Sequence, residues 1–398
     1  MAPVPSTASA RPQQDEATFS ICFVSLPASP LFSQSSTPRA IGGAEVQQYL
    51  LSQELVARGY PVSFIIKDDP LVTVAAFGAV RLIKSFWPGA GLPVLRVLHP
   101  QITSLWRAMR AANAQVYYVR GAKFESGIVA LFCRIHRRRM VQAVAHDNDC
   151  AMETLHNLRN GVKKRVYIAA LRSADLVFAQ TSHQQHLLRD RSGVESVVIG
   201  NVMPAASAAN LEPKGGIRKA LWVATLKPIK RPEVFLELAA RLPGVQFTMV
   251  GPKLAGLDGY YQEMVRLAEA MDNVEFVPYV PLDKIGAYFA DCDVFVLTSR
   301  NEGFPNVLLQ AWAYGKPVVS AFDPDGIIAR HHLGFVADGI EQFAEIFERF
   351  AQDPAGELAM LGQNGARYIV EHHSAKRIVG QFVDTVAMRI KPPADEVV

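Results

Sequence analysis

Between residues 19 and 66 the chain reads as a short apolar run (FSICFVSL, 19–26), a glycine pair, an amphipathic stretch and a second apolar run (VSFII, 62–66). Within 44–58, Val46, Leu50, Leu51 and Leu55 recur at helical spacing, and Gly59 supplies the stop. Strand, glycine loop, helix, strand is a βαβ unit, and its right-handed crossover commits the chain to a parallel sheet covered on both faces. The pattern continues with strands at VYYV (116–119), MVQAVA (140–145), LVFAQ (176–180) and SVVIG (196–200), so one doubly wound domain spans 19–200. Residues 201–218 are rich in Pro, Ala, Gly and Asn and mark a linker. A second series follows: strands at 219–225, 245–251, 274–279, 294–299 and 317–322, with helices across 232–242 and 259–271 and from about 305. The fold class is therefore α/β, two Rossmann-like domains whose facing sheets leave a cleft. In open parallel sheets, ligands sit at the carboxyl ends of the strands.

Composition narrows the function. At one domain per ~150 residues, 398 residues allow two to three domains, and 49% apolar with 20% charged residues excludes global disorder. Residues 1–18 read as a disordered Pro/Ser/Ala tail. Asp15 and Glu16 stand where a signal peptide would turn apolar, and no run reaches the ~20 apolar residues of a spanning helix. The four scattered cysteines suggest neither a disulfide framework nor a zinc site, and a reducing cytoplasm is expected. Charge is unevenly divided. Residues 1–200 carry 22 Lys+Arg against 13 Asp+Glu, and the remainder carry 19 against 24, a basic half joined to an acidic one. A basic half is expected to face something anionic, or to be only a solvated surface.

The densest polar segment is TSRNEGFPNVLLQAWAYGK (298–316). Strand gives way to loop, Pro305 suits the first helical turn, and Gly315 ends the helix. Amides around Gly303, Phe304, Asn306 and Val307, at the positive end of the helix dipole, predict a phosphate site. Glu302 precedes the helix and Gln310 lies two turns along it; without other evidence they read equally as a capping carboxylate and a surface amide. The segment resembles the E-x7-E region of the retaining glycosyltransferases of family four, which have the GT-B fold. By that resemblance, Glu302 contacts hydroxyls of the transferred sugar, and Gln310 replaces the second glutamate, which contacts the nucleotide ribose. WVATLKPIKRP (222–232) resembles the family's second phosphate-binding element. Lys230 matches the lysine that neutralises the leaving diphosphate, and Thr225 stands where an arginine is frequent, with Lys227 and Arg231 nearby. Gly42 and Gly43 resemble the family's glycine-rich loop, which approaches donor phosphates and acceptor. His146, at the end of strand 140–145, matches a residue that bonds the transferred sugar.

The resemblance implies a metal-independent enzyme with no cofactor beyond its nucleotide-sugar co-substrate. Lys230 and the 303–307 amides would stabilise the leaving diphosphate, which would itself take the acceptor's proton on the same face. It also implies that the helix near 375–390 returns to the first domain. Asp147 and Asp149 form a D-x-D, but chance supplies such spacings in a chain this acidic, and no catalytic metal is expected. Residues 120–139 carry an apolar stripe (Ile128, Leu131, Phe132, Ile135) ending in His136-Arg137-Arg138-Arg139. With Arg81, Lys84, Phe86, Trp87, Arg96, Arg107 and Arg110, it is either a core-facing helix with a solvated end or a peripheral face on an anionic membrane. A glycan or lipid-linked acceptor in polysaccharide biosynthesis agrees with the second, and no nucleic-acid signature accompanies the charge. Two alternatives remain: a sugar-nucleotide epimerase on the same scaffold, or a non-catalytic subunit that binds a membrane or a partner.

Overall fold

The structure, a computed structural model, describes residues 19–390 except 34–38, 40, 88, 92–96, 157, 159, 205–214 and 354–355. The expected tail 1–18, Arg96 and much of the linker 201–218 lie outside the described residues. The N-terminal half contains β1 (Ile21–Val24), β2 (Val62–Ile66), β3 (Ala76–Phe77), β4 (Val80–Lys84), β5 (Val116–Arg120), β6 (Arg139–Ala143), β7 (Leu176–Ala179) and β8 (Val197–Val198). They form one sheet in the order β3-β4-β2-β1-β5-β6-β7-β8, parallel except for the β3–β4 pair. The C-terminal half contains β9 (Lys219–Val223), β10 (Gln246–Val250), β11 (Val274–Val277), β12 (Val294–Leu297), β13 (Val318–Ser320) and β14 (Gly334–Val336). Their order is β11-β10-β9-β12-β13-β14. Each sheet reverses winding once, between β1 and β5 and between β9 and β12, and crevices open at the carboxyl ends of those strand pairs.

Burial explains the strands. β1, β2, β5, β7 and β12 are buried throughout, as helices on both faces require. Phe23 stacks on Phe64 at 4.9 Å between ring centroids in one core, and Phe235 meets Phe247 edge-on at 5.2 Å in the other. The β3–β4 hairpin, β14, and the helices Ile340–Arg349 and Glu357–Tyr368 have no counterpart in the sequence reading. In β4 only Val80 and Leu82 turn inward while Arg81 and Lys84 face solvent, so its alternation is masked by its charge.

The helix Ala375–Ile390 crosses back to the N-terminal half. Ile378, Val379, Phe382, Val383 and Val386 join its core, where Phe382 meets Phe178 at 5.6 Å and Tyr118 at 6.0 Å between centroids. Residues 120–139 form no single stripe. Arg120 ends β5, and in the helix Glu125–His136 Ile128 and Phe132 are buried while Leu131 and Ile135 are more than half exposed. The buried face is centred between 128, 129, 132 and 133, and positions 131 and 135 stand about a third of a turn from that centre, on its flank. Phe86 is likewise buried rather than surface-lying. No helix among the described residues is long and apolar enough to cross a membrane.

Candidate functional site

Both crevices open into one cleft, a cavity of about 380 Å³ lined from the N-terminal half by Gly42, Gly43, Arg120, His146 and Gln180. From the C-terminal half come Thr225, Lys227, Lys230, Glu302, Gly303, Phe304, Pro305, Asn306, Val307 and Gln310. Of the residues singled out in the sequence, Arg231 alone does not line it. Arg231 occupies the left-handed turn (φ 51°) joining a short 3-10 segment to the helix Pro232–Arg241.

Lys230 follows β9 and Glu302 follows β12, adjacent strands in register at Phe295 and Leu221, so their loops converge. The Lys230 ammonium is hydrogen-bonded to Glu302 Oε1. Behind them a buried chain fixes the loop: Trp222 Nε1 donates to Thr298 Oγ1 at 2.9 Å, and Thr298 Oγ1 donates to the Lys230 carbonyl at 2.6 Å. Burial, and then the neighbouring Lys230, push the Lys227 ammonium below its ordinary value, while Glu302 opposes this. The helix runs Asn306–Ala313 with Pro305 as the capping residue just outside it, one position earlier than the sequence reading placed the proline. Asn306 and Val307 thus occupy its first turn, where N–H groups have no acceptor within the helix. Lys230 and this helix start line one cavity.

In the N-terminal half, Gly42 and Gly43 open the helix Gly43–Ala57 and lie against the other half. A Cβ on Gly43 would stand 2.7 Å from Asn306 Nδ2, which donates to the Gly43 carbonyl at 2.9 Å. Gly303 makes the reciprocal approach, since a Cβ there would lie 2.4 Å from the Ala145 carbonyl oxygen. His146 caps a short turn, with Nδ1 accepting from the Asn148 N–H at 3.1 Å. A neutral imidazole bonded this way carries its proton on Nε2, as a donor. Asp149 is buried and accepts from the Ala145 and His146 N–H groups at 2.9 and 3.1 Å, while Asp147 accepts from Gln184 Nε2 at 3.0 Å. Burial raises both carboxyls above their ordinary values. The D-x-D pair therefore shapes the His146 loop, and among the described residues no group of three or more His, Cys, Asp or Glu side chains is arranged to hold a metal.

Sequence reasoning missed Arg120, Thr298, Asn201 and an apolar wall of Val250, Pro252, Tyr279, Val280 and Leu282. The position of Arg120 at the carboxyl end of a central strand was an available signal; the amide and the wall are visible only in the assembled cleft.

Two facing Rossmann-like domains with a polar cleft across the carboxyl ends of both sheets define the GT-B architecture. Residues 41–204 match the family described as Glycosyltransferase Family 4, and residues 217–353 match Glycosyl transferases group 1. Together these cover most of the chain, and the protein belongs to the glycosyltransferases of this two-domain type. A D-inositol 3-phosphate glycosyltransferase of Mycolicibacterium gilvum is 26% identical over 334 residues, covering 76% of this chain and 74% of that protein. The protein of the same name from Streptomyces avermitilis is 28% identical over 226 residues, covering 49% of this chain; the match spans about half of the relative, 48%. Among solved structures, Anabaena Alr3699/HepE in complex with UDP and glucose has a TM-score of 0.72 at 19% identity, covering 93% of this chain and all of that one. Sucrose-phosphate synthase from Thermosynechococcus elongatus has a TM-score of 0.72 at 19% identity, covering 93% of this chain and 98% of that one.

Proposed function

We propose that this glycosyltransferase takes a sugar from a nucleotide diphosphate sugar and transfers it, with retention at the anomeric carbon and without a metal, to a hydroxyl of a glycan or lipid-linked acceptor in polysaccharide biosynthesis. The observation that carries this reading is the convergence of Lys230, Glu302 and the start of the helix Asn306–Ala313 in one cleft. An ammonium and helix-terminal amides around one diphosphate stabilise the negative charge that develops as the glycosidic bond breaks. Glu302, beside Lys230, accepts hydrogen bonds from the sugar's hydroxyls, and His146 Nε2–H donates to it from the opposite half. The acceptor hydroxyl then attacks from the leaving-group face, and the diphosphate oxygen takes its proton. Val250, Pro252, Tyr279, Val280 and Leu282 offer an apolar seat for a base, with Gln310 toward the ribose. UDP and UDP-glucose bound to structural neighbours agree with a nucleotide donor. The test is a thermal-shift screen against UDP, GDP, ADP and their sugars. One nucleotide at 100 times its dissociation constant adds ~2.7 kcal/mol of apparent stability; a flat response to all three rejects the donor reading.

The same proposal places the enzyme at the inner face of a membrane, in the cytoplasm. Exposed Leu131 and Ile135 stand among Arg134, Arg137 and Arg138 on the helix Glu125–His136 and its end, and Lys163 and Lys164 begin the helix packed beside it. Each basic residue at an anionic leaflet contributes ~1 kcal/mol. Sedimentation with vesicles containing anionic lipid should retain the protein, and Leu131→Ser with Ile135→Ser should release at least half of it. Equal retention on neutral vesicles would reject the electrostatic part.

A further inference from the structure

Lys230 ends the short 3-10 turn Pro228–Lys230, and Arg231 after it takes the left-handed conformation, so the helix Pro232–Arg241 begins only beyond it. Its ammonium rides on a long flexible stem, and a charge that must meet one site needs that stem restrained. Two tethers do so. At the tip, the ammonium is bonded to Glu302. At the base, Thr298 Oγ1 donates to the Lys230 carbonyl at 2.6 Å while accepting from Trp222 Nε1 at 2.9 Å. The direction of this chain is forced: an indole N–H only donates and a carbonyl only accepts, so the one hydroxyl proton of Thr298 goes to Lys230. Thr298 and Trp222 are 0% and 1% exposed, so bulk water does not compete for these bonds. Trp222 is part of the C-terminal core, with Phe235 at 6.3 Å between ring centroids, and Thr298 directly follows β12 on the loop that carries Glu302. The chain thus runs from the rigid core, through the Glu302 loop, to the backbone of the lysine.

We propose that Thr298 is a positioning residue for the transfer reaction: its hydroxyl, held by Trp222, fixes the backbone from which Lys230 reaches the donor diphosphate, and so sets diphosphate affinity without touching the ligand. This rests on the donor reading above and adds to it the residue that holds the cation in place. Thr298 is not among the residues that line the cleft, so it acts through Lys230 or not at all. A side chain that works through one lysine has a signature that general packing lacks, because its effect on the ligand vanishes once that ammonium is removed. Its two halves also separate. Valine keeps the shape and loses the proton, whereas serine keeps the proton and loses the methyl group.

The experiment is a double-mutant cycle read by calorimetric titration of UDP, GDP or ADP, whichever the thermal-shift screen selects, into the full chain. Thr298→Val should weaken binding of that diphosphate about tenfold, and Thr298→Ser should stay within about threefold of the wild type. Placed in the Lys230→Ala protein, Thr298→Val should change affinity less than about twofold, although the melting temperature falls in both backgrounds because the Trp222 N–H loses its acceptor in each. A tenfold loss that persists in Lys230→Ala overturns the proposal, since Thr298 would then act by packing. So does Thr298→Ser binding as weakly as Thr298→Val, which would assign the effect to the methyl group. If Thr298→Val fails to fold, Thr298→Cys decides: its thiol is a weaker donor, and it should lose about fivefold in the wild-type background and less than about twofold in Lys230→Ala. Wild-type affinity in Thr298→Cys overturns the proposal. Wild type that binds none of the three diphosphates fails the donor reading itself, whereas a wild type that binds one with Thr298→Val unaffected fails the positioning role alone.

Discussion

At the residue scale, Lys230 and Glu302 are one hydrogen-bonded pair but are expected to separate in their kinetics. In the proposed reaction the ammonium would meet the diphosphate in both ground and transition states, whereas the carboxylate would hold the sugar whose bond breaks. Lys230→Ala should therefore weaken nucleotide diphosphate binding by about 30-fold and lower kcat by about 100-fold. Glu302→Gln should lower kcat by a similar factor while leaving nucleotide affinity within threefold. Calorimetric titration of the nucleotide and steady-state rates of the two variants check this, and equal loss of nucleotide affinity in both would merge the two roles. Gln310 is a departure of the same scale: a neutral amide still bonds a diol, so the neighbouring contacts need not change for it to serve.

At the level of elements, polar contacts between loops and helix starts join the two halves in addition to the apolar packing of the helix Ala375–Ile390. Asp325, in a left-handed turn (φ 51°), caps a helix of the other half: its carboxylate accepts from the Ser182 and His183 N–H groups at 2.6 and 3.1 Å. A carboxylate at a helix start meets both free amides and the positive end of the dipole. Replacing it by glycine suits the left-handed backbone while removing the cap, so local strain does not confuse the outcome. Asp325→Gly should lower kcat/KM for the donor about 10-fold by weakening closure of the cleft, with the melting temperature changed by no more than a few degrees. Unchanged kcat/KM would show that closure does not depend on this cap.

For the whole molecule, Asn201 is where the halves, the linker and the returning C-terminal segment meet. His373 Nδ1 donates to the Asn201 carbonyl at 2.8 Å, and the Met203 N–H donates to the His373 carbonyl at 3.0 Å. His373 is buried against Phe304 and Tyr368, and burial, with His372 and Arg377 nearby, lowers it from 6.5 to about 4. Between those values the unfolded chain takes up a proton that the folded one refuses. Stability present at neutral pH is thus lost as pH falls through 6.5 toward 4, by up to about 3 kcal/mol. Denaturant unfolding at pH 7.5 and pH 4.5 should show a loss in the wild type that is smaller by about 2 kcal/mol in His373→Gln, whose amide can still donate to Asn201. The buried Asp147 and Asp149 act in the opposite sense in both proteins, and the difference between the two isolates His373.

The sequence by itself determined the two doubly wound domains, because apolar runs of fixed length between glycine turns admit few folds. It also marked the loops after β9 and β12, because Lys230 and Glu302 each stand beside a helix start that local pattern reveals. It left open whether Leu131 and Ile135 face the core or solvent, and it did not show the left-handed turn at Arg231, since a turn of that kind and the angle of a helix on its sheet are set by packing partners distant in the chain. Arg120, Asn201 and Thr298 escaped for the same reason. Their roles arise from contacts across 81, 105 and 68 residues, and no local pattern carries information about which polar group will be buried beside which. Only the tertiary structure decided that Arg120 of the basic half lies buried at the cleft beside the amides of Asn201 and Gln180, because burial is a property of the assembled surfaces.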